Sequence, residues 1–218
     1  MESLKERILE IAYIHKLSHL GSYFSSVDII DEIFQEKDED DIFILSAGHA
    51  AVALYAAIEK HHGIDAEKLF MKHGGHPYRN EQDKLYCSTG SLGLGLLVAI
   101  GRAMANKDRT VYCLISDGEC AEGSIWEGLR FIQENKIDNI KVYVNVNGYC
   151  AYDKVDMEYL TRRLLTFYPR INIRYTSVEQ FPFLRGLNAH YHIMSDEDYQ
   201  LAKSMIKRGR DFDEKVLC

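Results

Sequence analysis

The stretch TVYCLISDGE at residues 110–119 decides the expected fold, because it reads as a buried strand that ends in a turn. A helical pattern follows from Ser124 to Asn135, and IKVYVNVN at residues 140–147 is the next strand pattern. Continuous apolar strands that alternate with helices are typical of βαβ units, whose parallel strands are covered on both faces. We therefore predict an α/β fold with a mostly parallel central sheet flanked by helices.

The same alternation extends to both sides of this stretch. The further predicted helices cover residues 3–15, 27–34, 50–60, 96–105, 157–167 and 195–207, and the further predicted strands cover residues 41–46 and 171–175. No internal repeat and no linker-like segment interrupts the pattern. We therefore expect residues 1–218 to form a single domain.

The composition is that of an ordinary globular protein with an acidic balance. Of 218 residues, 46% are hydrophobic and 27% are charged, and the 26 Lys and Arg against 33 Asp and Glu give a net charge of −7. Such a balance argues against binding nucleic acid or an anionic membrane surface through bulk electrostatics. An anionic ligand would need a local binding device.

Cysteine usage and the N-terminus indicate the compartment. The five cysteines have no Cys-x-x-Cys spacing, so the sequence favours neither a zinc site nor a disulfide framework. The first residues lack the apolar core of a signal peptide, and no apolar run is long enough to cross a bilayer. We expect a cytoplasmic protein without membrane attachment.

Two polar residues follow neighbouring predicted strands. Asp117 comes directly after one strand, and Asn147 ends the next. In a parallel sheet both lie at the carboxyl edge, where open α/β folds bind ligands. A carboxylate and an amide oxygen, with room left by Gly118, suit Mg²⁺ that completes its coordination with phosphate oxygens. Taken alone, an Asp-Gly pair after a strand is more often a plain turn.

Other candidate ligand-binding residues lie in predicted loops and helix starts. The Gly-rich stretch Gly90 to Gly95 opens a helix, so free backbone N–H groups are available to an anion or to a polar cofactor edge. Four of the nine histidines stand beside glycine or proline or in a loop: His19, His49, His76 and His190. Each feature on its own is more often structural than functional.

Six blocks occur in order along residues 19–148. They are HLGS at 19–22, FILSAGHA at 43–50, GHP at 75–77, STGSLG at 88–93, SDGECAEG at 116–123 and NG at 147–148. Together they resemble the N-terminal thiamine-diphosphate-binding domain of transketolases, and most closely the N-terminal chain of transketolases split into two polypeptides. NAHYHIMSDEDY at residues 188–199 resembles a later segment of the same domain. The resemblance implies a three-layer α/β fold and transfer of a two-carbon ketol unit from a ketose to an aldose or modified sugar.

The resemblance also implies residue roles. The implied Mg²⁺ ligands are the side chains of Asp117 and Asn147 and the carbonyl of Tyr149. The implied cofactor-binding positions are His49, Gly90, Ser91, Leu92, Asp117, Gly118, Glu119, Asn147, Tyr149 and His190. The implied catalytic residues are His19, His49, His76 and His190, together with Glu122 as a carboxylate at the subunit interface. Imidazoles suit proton transfer because their ordinary pKa is close to working pH.

Part of the implied active site is absent from this sequence. In the family, a glutamate that protonates the aminopyrimidine ring and arginines that hold a sugar phosphate belong to a following pyrimidine-binding domain. No stretch here resembles that domain, since the chain ends after one terminal helix. The resemblance thus implies a separate C-terminal transketolase-like subunit, in a two-fold heterotetramer.

The sequence departs from the family pattern in three places. Ser116 replaces the first glycine of a Gly-Asp-Gly turn, and Leu94 replaces a glutamine between the last two glycines of the Gly-rich stretch. The segment 150–190 is short and lacks the family's Gly-His-Asp turn and Lys-Gly-x-Gly run, as if one strand and helix unit were missing or trimmed. We hypothesise a more open channel that takes a bulky or nucleotide-linked acceptor.

Two alternative functions remain open at the level of sequence. The first is a thiamine-dependent decarboxylase or acyloin-forming enzyme, which the set of His19, His49 and His76 disfavours. The second is a non-catalytic or regulatory relic, which the presence of Asp117, Asn147 and Glu122 disfavours.

Overall fold

A four-stranded parallel sheet forms the centre of the chain. A computed structural model describes the backbone of residues 3–216 and the side chains of residues 3–208, so the predicted domain limits at 1 and 218 lie outside the described residues. The strands are β1 (Ile42–Leu45), β2 (Val111–Ser116), β3 (Ile140–Val146) and β4 (Asn172–Tyr175). They follow one another in space in chain order, all parallel. The predicted α/β fold with a parallel sheet is confirmed.

Helices cover both faces of this sheet. Within the described backbone they are α1 (Leu4–Ile14), α2 (Leu20–Glu36), α3 (Ala51–His62), α4 (Ala66–His73), α5 (Leu94–Ala105), α6 (Gly123–Glu134), α7 (Met157–Phe167), α8 (Asn188–Tyr191) and α9 (Asp196–Val216). One hydrophobic cluster joins the sheet to α1–α4 and to parts of α8 and α9, and a second joins it to α5–α7. The chain is therefore layered as helix, sheet and helix.

The strands are continuous apolar runs because both sheet faces are buried. In β1, Phe43 and Leu45 belong to the cluster with α1–α4, whereas Ile42 and Ile44 belong to the cluster with α5–α7. Every residue of β1 and β2 is buried. Side chains in a strand point alternately to opposite faces, so two apolar layers require an apolar residue at nearly every position.

Two helices differ from the sequence-based expectation. Helix α2 begins at Leu20, well before the predicted residue 27. The sequence pattern did not indicate this start, because the first turns contain Gly21 and several serines, which are weak helix formers. Tertiary contacts hold that start in place: a Cβ added to Gly21 would lie 2.9 Å from Cβ of Val178. Helix α4 was not predicted at all, although the side chain of Asp65 caps it by accepting the Lys68 N–H at 2.8 Å.

The topology places the ends of three strands side by side. The segments that leave β1, β2 and β3 begin at Ser46, Asp117 and Asn147, all on the carboxyl edge of the sheet. The candidate residues of the sequence analysis therefore gather at one edge, as the parallel arrangement requires. Among the helices of the described chain, none has the length and apolar character needed to span a membrane.

Candidate functional site

Asp117 organises the carboxyl edge of the sheet. Its side chain is buried, and Oδ2 accepts backbone N–H groups of Asn147 at 2.8 Å and Gly148 at 2.7 Å. Oδ1 accepts the N–H of Gly118 at 3.0 Å. Burial raises the pKa of Asp117 to about 6, and these backbone hydrogen bonds lower it in part. One carboxylate thus ties the loop after β3 to the end of β2.

Asn147 and Tyr149 lie on the loop beside this carboxylate. Oδ1 of Asn147 accepts the N–H of Tyr149 at 3.0 Å, and Tyr149 pairs with Lys154 across a short antiparallel bridge. A Cβ added to Gly118 would lie 3.7 Å from the Tyr149 carbonyl oxygen and 3.2 Å from Cα of Cys150. The structure therefore brings the three predicted metal ligands to one edge, with a glycine between them.

The donor set at this edge consists of a carboxylate, an amide and a carbonyl. In the described part of the chain, no group of three or more His, Cys, Asp or Glu side chains is arranged to hold a metal. A cation bound between Asp117, Asn147 and the Tyr149 carbonyl would have only oxygen ligands from the protein. Such oxygens match the preference of Mg²⁺, which also keeps waters or phosphate oxygens in its coordination sphere.

The four predicted histidines form one cluster. The centroid of the His19 ring lies 4.2 Å from that of His190, 5.7 Å from that of His49 and 6.5 Å from that of His76. The His49 and His190 centroids are 5.6 Å apart. These residues come from four separate segments, so only the fold brings them together.

Burial keeps His19, His49 and His190 uncharged. It lowers the pKa of His49 to about 3 and that of His19 to about 4, and neighbouring imidazoles add to both effects. Burial also lowers the pKa of His190. Near neutral pH these rings are neutral imidazoles, which can donate a hydrogen bond from one nitrogen and accept one at the other.

His19 is fixed by its backbone as well as by its side chain. Its φ of 67° is in the left-handed region at the start of α2, and its N–H donates to the carbonyl of His190 at 2.8 Å. Nδ1 of His19 lies 2.8 Å from Oγ of Ser18. These two hydrogen bonds hold the strained backbone in place. Strain of this kind is common at functional sites, where the orientation of a side chain matters.

The Gly-rich loop before α5 packs closely against the ends of two other segments. Gly93, at φ 80°, precedes α5, and a Cβ there would lie 2.3 Å from Oγ of Ser124. Gly90 has φ 151°, and its added Cβ would lie 3.1 Å from Cδ2 of His76. Ser91 is exposed, whereas Leu92 is half-buried. The glycines allow approaches that a side chain would block.

Glu119 anchors the Gly-rich loop through hydrogen bonds. It is fully buried, and its Oε1 accepts Oγ–H of Ser46 at 2.7 Å and N–H of Gly93 at 2.9 Å, while Oε2 accepts N–H of Ser116 at 3.0 Å. Burial raises its pKa, and these hydrogen bonds oppose the rise. Both oxygens of this predicted cofactor-binding residue therefore have protein partners. Glu122 is exposed at the start of α6, next to Gly93.

A cleft opens between the carboxyl edge of the sheet, at Gly118 and Asn147, and the histidines His49 and His190. It encloses about 460 Å³ of atom-free space that is open to solvent, and its predicted lining residues are His49, Leu92, Gly118, Asn147, Tyr149 and His190. The sequence analysis assigned no site role to other residues that line the cleft, which are Gly21, Val178, Gly186, Leu187 and Ala189. Val178, Gly186, Leu187 and Ala189 had no periodic signal, and they lie within the segment 150–190 that departs from the family pattern.

A second missed group fastens α2 to the end of β3. The side-chain amide of the buried Asn145 donates to Oγ of Ser25 at 3.0 Å and of Ser26 at 3.1 Å. Its oxygen accepts the hydroxyl of Thr176. The polar residue within an otherwise apolar strand was the available signal, since a buried amide requires partners.

The local geometry fits a cofactor that carries a diphosphate. Gly118 leaves open the space beside the Tyr149 carbonyl. Of the two buried side-chain atoms that lack a hydrogen-bond partner among the described residues, one is Oγ1 of Thr89, which precedes Gly90 in the Gly-rich loop. Together with the oxygen donors at the edge, these features provide space, an unused hydroxyl and a place for a divalent cation.

Comparison with known sequences identifies the family. The sequence model described as "Transketolase, thiamine diphosphate binding domain" matches residues 20–163, well over half of the chain. The chain therefore belongs to the family of transketolase thiamine-diphosphate-binding domains, and the predicted resemblance is confirmed.

Individual relatives agree with this assignment. One of the subunits of the apulose-4-phosphate transketolase of Phocaeicola vulgatus is 31% identical over 166 residues, which are 67% of this chain and 59% of the relative. The transketolase of Homo sapiens is 35% identical over 162 residues, which are 65% of this chain and 26% of the relative. The chain thus spans less than two thirds of the length of these curated relatives.

Solved structures show the same fold. The transketolase from Campylobacter jejuni superposes with a TM-score of 0.67 over 94% of this chain and 43% of that chain, at 19% identity. The transketolase from Leishmania mexicana gives a TM-score of 0.66 over 94% of this chain and 41% of that chain, at 17% identity. At such identities the likeness concerns the fold, and it agrees with the layered α/β architecture described above.

Proposed function

We propose that this chain is the diphosphate-binding subunit of a thiamine-diphosphate-dependent, transketolase-like transferase. The enzyme moves a two-carbon ketol unit from a ketose to an aldose or modified sugar acceptor. The observation that carries the proposal is one cleft lined by Gly118, Asn147, His49 and His190. Asp117 accepts the N–H of Asn147 behind this lining, and the ring of His19 lies against that of His190. Membership of the family supports the choice of cofactor.

In this proposal the sheet edge holds the cofactor's diphosphate through Mg²⁺. The side chains of Asp117 and Asn147 and the carbonyl of Tyr149 are the protein ligands, and Gly118 leaves room for the phosphate oxygens. Gly90, Ser91 and Leu92 offer backbone groups to the cofactor from the loop before α5. When bound, thiamine diphosphate supplies the nucleophilic carbon and the electron sink that ketol transfer requires.

The histidines position the sugars and exchange protons with them. His49 and His190 line the cleft beside the proposed Mg²⁺ ligands. His19 and His76 extend the cluster, and we assign them to the substrate's hydroxyl and carbonyl groups. Since burial lowers the pKa of His19, His49 and His190, these rings stay neutral and can act as donor or acceptor toward hydroxyl and carbonyl oxygens.

A separate chain completes the active site. The name of one relative that this chain matches describes it as one subunit of a transketolase, which supports a partner subunit. We place the pyrimidine-binding half on a C-terminal transketolase-like subunit in a two-fold heterotetramer, with Glu122 at the interface between subunits. Residues 1–218 then form one domain, shortened in segment 150–190, of a cytoplasmic enzyme.

Calorimetric titration tests the cofactor site directly. Thiamine diphosphate is added at saturating Mg²⁺ to the wild-type chain, to Asp117→Ala and to Asp138→Ala. Asp138 is an exposed acid just before β3, on the opposite edge of the sheet, so its variant is the matched control. We expect binding to the wild type and the control, and a loss of more than about 100-fold in Asp117→Ala, because the loss of a metal ligand exceeds that of an outer partner.

Folding and partner controls complete the experiment. Circular dichroism and thermal melting of Asp117→Ala separate a lost ligand from a lost fold, and Asn147→Ala gives a second variant with less influence on the loop. Absence of heat for the wild type, both alone and with the pyrimidine-binding subunit, would instead favour the non-catalytic relic. Full turnover of common pentose phosphates by the reconstituted pair would refute the hypothesis of a specialised, bulky acceptor.

A further inference from the structure

The turn that joins α1 to α2 carries His19 and is anchored at both ends. The N–H of Leu17 donates to the carbonyl of Ala12 at 2.9 Å, which fastens the turn to the last part of α1. Leu20 is fully buried and begins α2. Lys16 and His19 have left-handed backbone conformations, with φ of 51° and 67°. The turn therefore follows a fixed path, and the side chains that project from it have defined positions.

His19 is the N-cap residue of α2, yet its side chain does not cap the helix. Serine, threonine, aspartate and asparagine are the usual N-cap residues, because their side chains accept an N–H of the first helical turn. The imidazole of His19 makes no such hydrogen bond. The helix start thus lacks a stabilising contact, and the ring stays available for other partners. A local rule that is broken in this way is typical of a functional position.

Ser18 is the hydrogen-bond partner of this ring. Its Oγ lies 2.8 Å from Nδ1 of His19, and in the described chain neither atom has another hydrogen-bond partner. Serine is a good N-cap residue, but this serine stands one position before the N-cap and contacts the imidazole instead of the helix. The contact is partly buried, which strengthens it relative to the same contact in water.

The number of hydrogens decides which atom of this pair is the donor. Burial lowers the pKa of His19 to about 4, so at neutral pH one ring nitrogen carries a hydrogen and the other does not. If Nδ1 donated to Ser18, the hydroxyl hydrogen and the lone pair of Nε2 would both lack a partner among the described residues. If the hydroxyl donates to Nδ1, only the Nε2–H lacks one. The second arrangement leaves fewer polar groups unpaired, as folded proteins generally do.

The ring of His19 packs against a residue that lines the cleft. Its centroid lies 4.2 Å from that of His190, which is part of the cleft lining. Because Nδ1 is occupied by Ser18, Nε2 is the nitrogen left for a ligand. An Nε2–H is a hydrogen-bond donor, so it matches an acceptor oxygen.

We propose that Ser18 is a positioning residue, whose hydroxyl donates to Nδ1 of His19 and thereby holds the ring in the Nε2–H tautomer. The ring then offers one fixed donor to a ligand. The identity of the acceptor, a carbonyl or hydroxyl oxygen of a sugar, rests on the proposed function. The tautomer itself is a property of the free chain and requires neither cofactor nor partner subunit.

NMR of the histidine ring nitrogens measures the tautomer directly. Long-range ¹H–¹⁵N correlation spectra of the free wild-type chain are recorded at neutral pH, and the spectrum of His19→Gln identifies the signals of His19. We expect Nε2 to have the chemical shift of a protonated ring nitrogen and Nδ1 that of an unprotonated one. In Ser18→Ala the ratio of the Nε2–H to the Nδ1–H form should fall by about fivefold or more, because a hydrogen bond of ordinary net strength is lost.

Two variants serve as controls. Ser18→Thr keeps the hydroxyl group and should keep the tautomer ratio of the wild type. Ser204→Ala removes a hydroxyl on α9 that donates to the Leu201 carbonyl at 2.8 Å, and it should leave the ratio unchanged. Circular dichroism checks that each variant is folded.

Three outcomes would overturn the proposal. The first is a wild-type His19 ring with its hydrogen on Nδ1, and the second is a folded Ser18→Ala chain with an unchanged tautomer ratio. The third is a Ser18→Thr chain that behaves like Ser18→Ala, which would show that the hydroxyl does not set the tautomer. A wild-type chain that fails to bind thiamine diphosphate in the calorimetric titration would refute the proposed function instead, and it would leave these spectra unaffected.

Discussion

At the scale of single residues, the histidine cluster owes its chemistry to its surroundings. His19 and His49 have the same ordinary pKa as any exposed imidazole, and burial lowers the pKa of both far below that value. The sequence predicted both residues as functional through the family resemblance, but their neutral state depends on the distances among four separate segments. Periodicity and composition contain no information about such distances.

The buried state of His49 predicts a pH-dependent stability. Its pKa in the folded chain is about 3, against an ordinary value of 6.5. Between these values the unfolded chain binds a proton that the folded chain does not, so the stability contributed by neutral His49 is present above pH 6.5 and is lost as pH falls toward 3. On going from pH 7 to pH 5, the wild type should lose about 1–2 kcal/mol more than His49→Gln.

Urea unfolding at several pH values measures this difference. The other histidines are the same in both proteins, so the comparison isolates the effect of position 49. An unfolding free energy that falls equally steeply with pH in both proteins would show that His49 stays accessible to protons in the folded chain.

At the scale of helices and strands, the sequence predicted best those elements whose signal is local. The strands β1 to β3 were located to within two residues, because uninterrupted apolar runs between turns have few other interpretations. Helix α4 was missed because its 8 residues are too few to show a clear helical period. The cleft wall around Val178 and Leu187 was missed because it depends on distant contacts with α2 rather than on any repeating pattern.

The close contact between α5 and the end of β1 predicts that alanine substitutions at two glycines have very different effects on the free energy of unfolding. A Cβ added to Gly95 would lie 2.6 Å from Cα of Ser46, whereas one added to Gly123, at the start of α6, would meet nothing within 4 Å. Gly95→Ala should therefore destabilise the fold by about 2–3 kcal/mol through overpacking against backbone.

Gly123→Ala is the matched control, and its effect should stay within about 0.5 kcal/mol. Chemical denaturation of both variants at one protein concentration provides the comparison. Equal effects would mean that α5 can move away from β1 at little cost.

At the scale of the whole molecule, the net charge of −7 sets how an anionic cofactor can bind. The chain as a whole repels such a ligand, so in the proposed function Mg²⁺ at the Asp117 edge and local backbone dipoles supply the attraction. The sequence allowed this deduction, because charge and ordered motifs are directly readable. It could not indicate that Leu94, Leu97 and Met104 of α5 are exposed, because an apolar helix has the same sequence pattern whether one side or both sides are covered.

Removing Mg²⁺ is expected to make the repulsion between the acidic chain and the anionic cofactor visible in the binding affinity. With EDTA in place of Mg²⁺, the affinity for thiamine diphosphate should fall on the order of 100-fold, or about 3 kcal/mol. Added salt should then strengthen the residual binding, since it screens the repulsion between two anions. Titrations at low and moderate NaCl concentrations measure this response, and weaker binding at higher salt would show that a basic surface holds the cofactor.

The buried carboxylate of Glu119 has a consequence for how the site opens. It joins the segments after β1 and β2 and the loop before α5 through Ser46, Ser116 and Gly93. None of these three segments can move away without leaving a buried acceptor unpaired. They should accordingly open as one cooperative unit, with a common rate of amide hydrogen exchange that slows throughout when ligand occupies the cleft. The cleft then has a single open state, shared by parts of the chain that are up to about seventy residues apart.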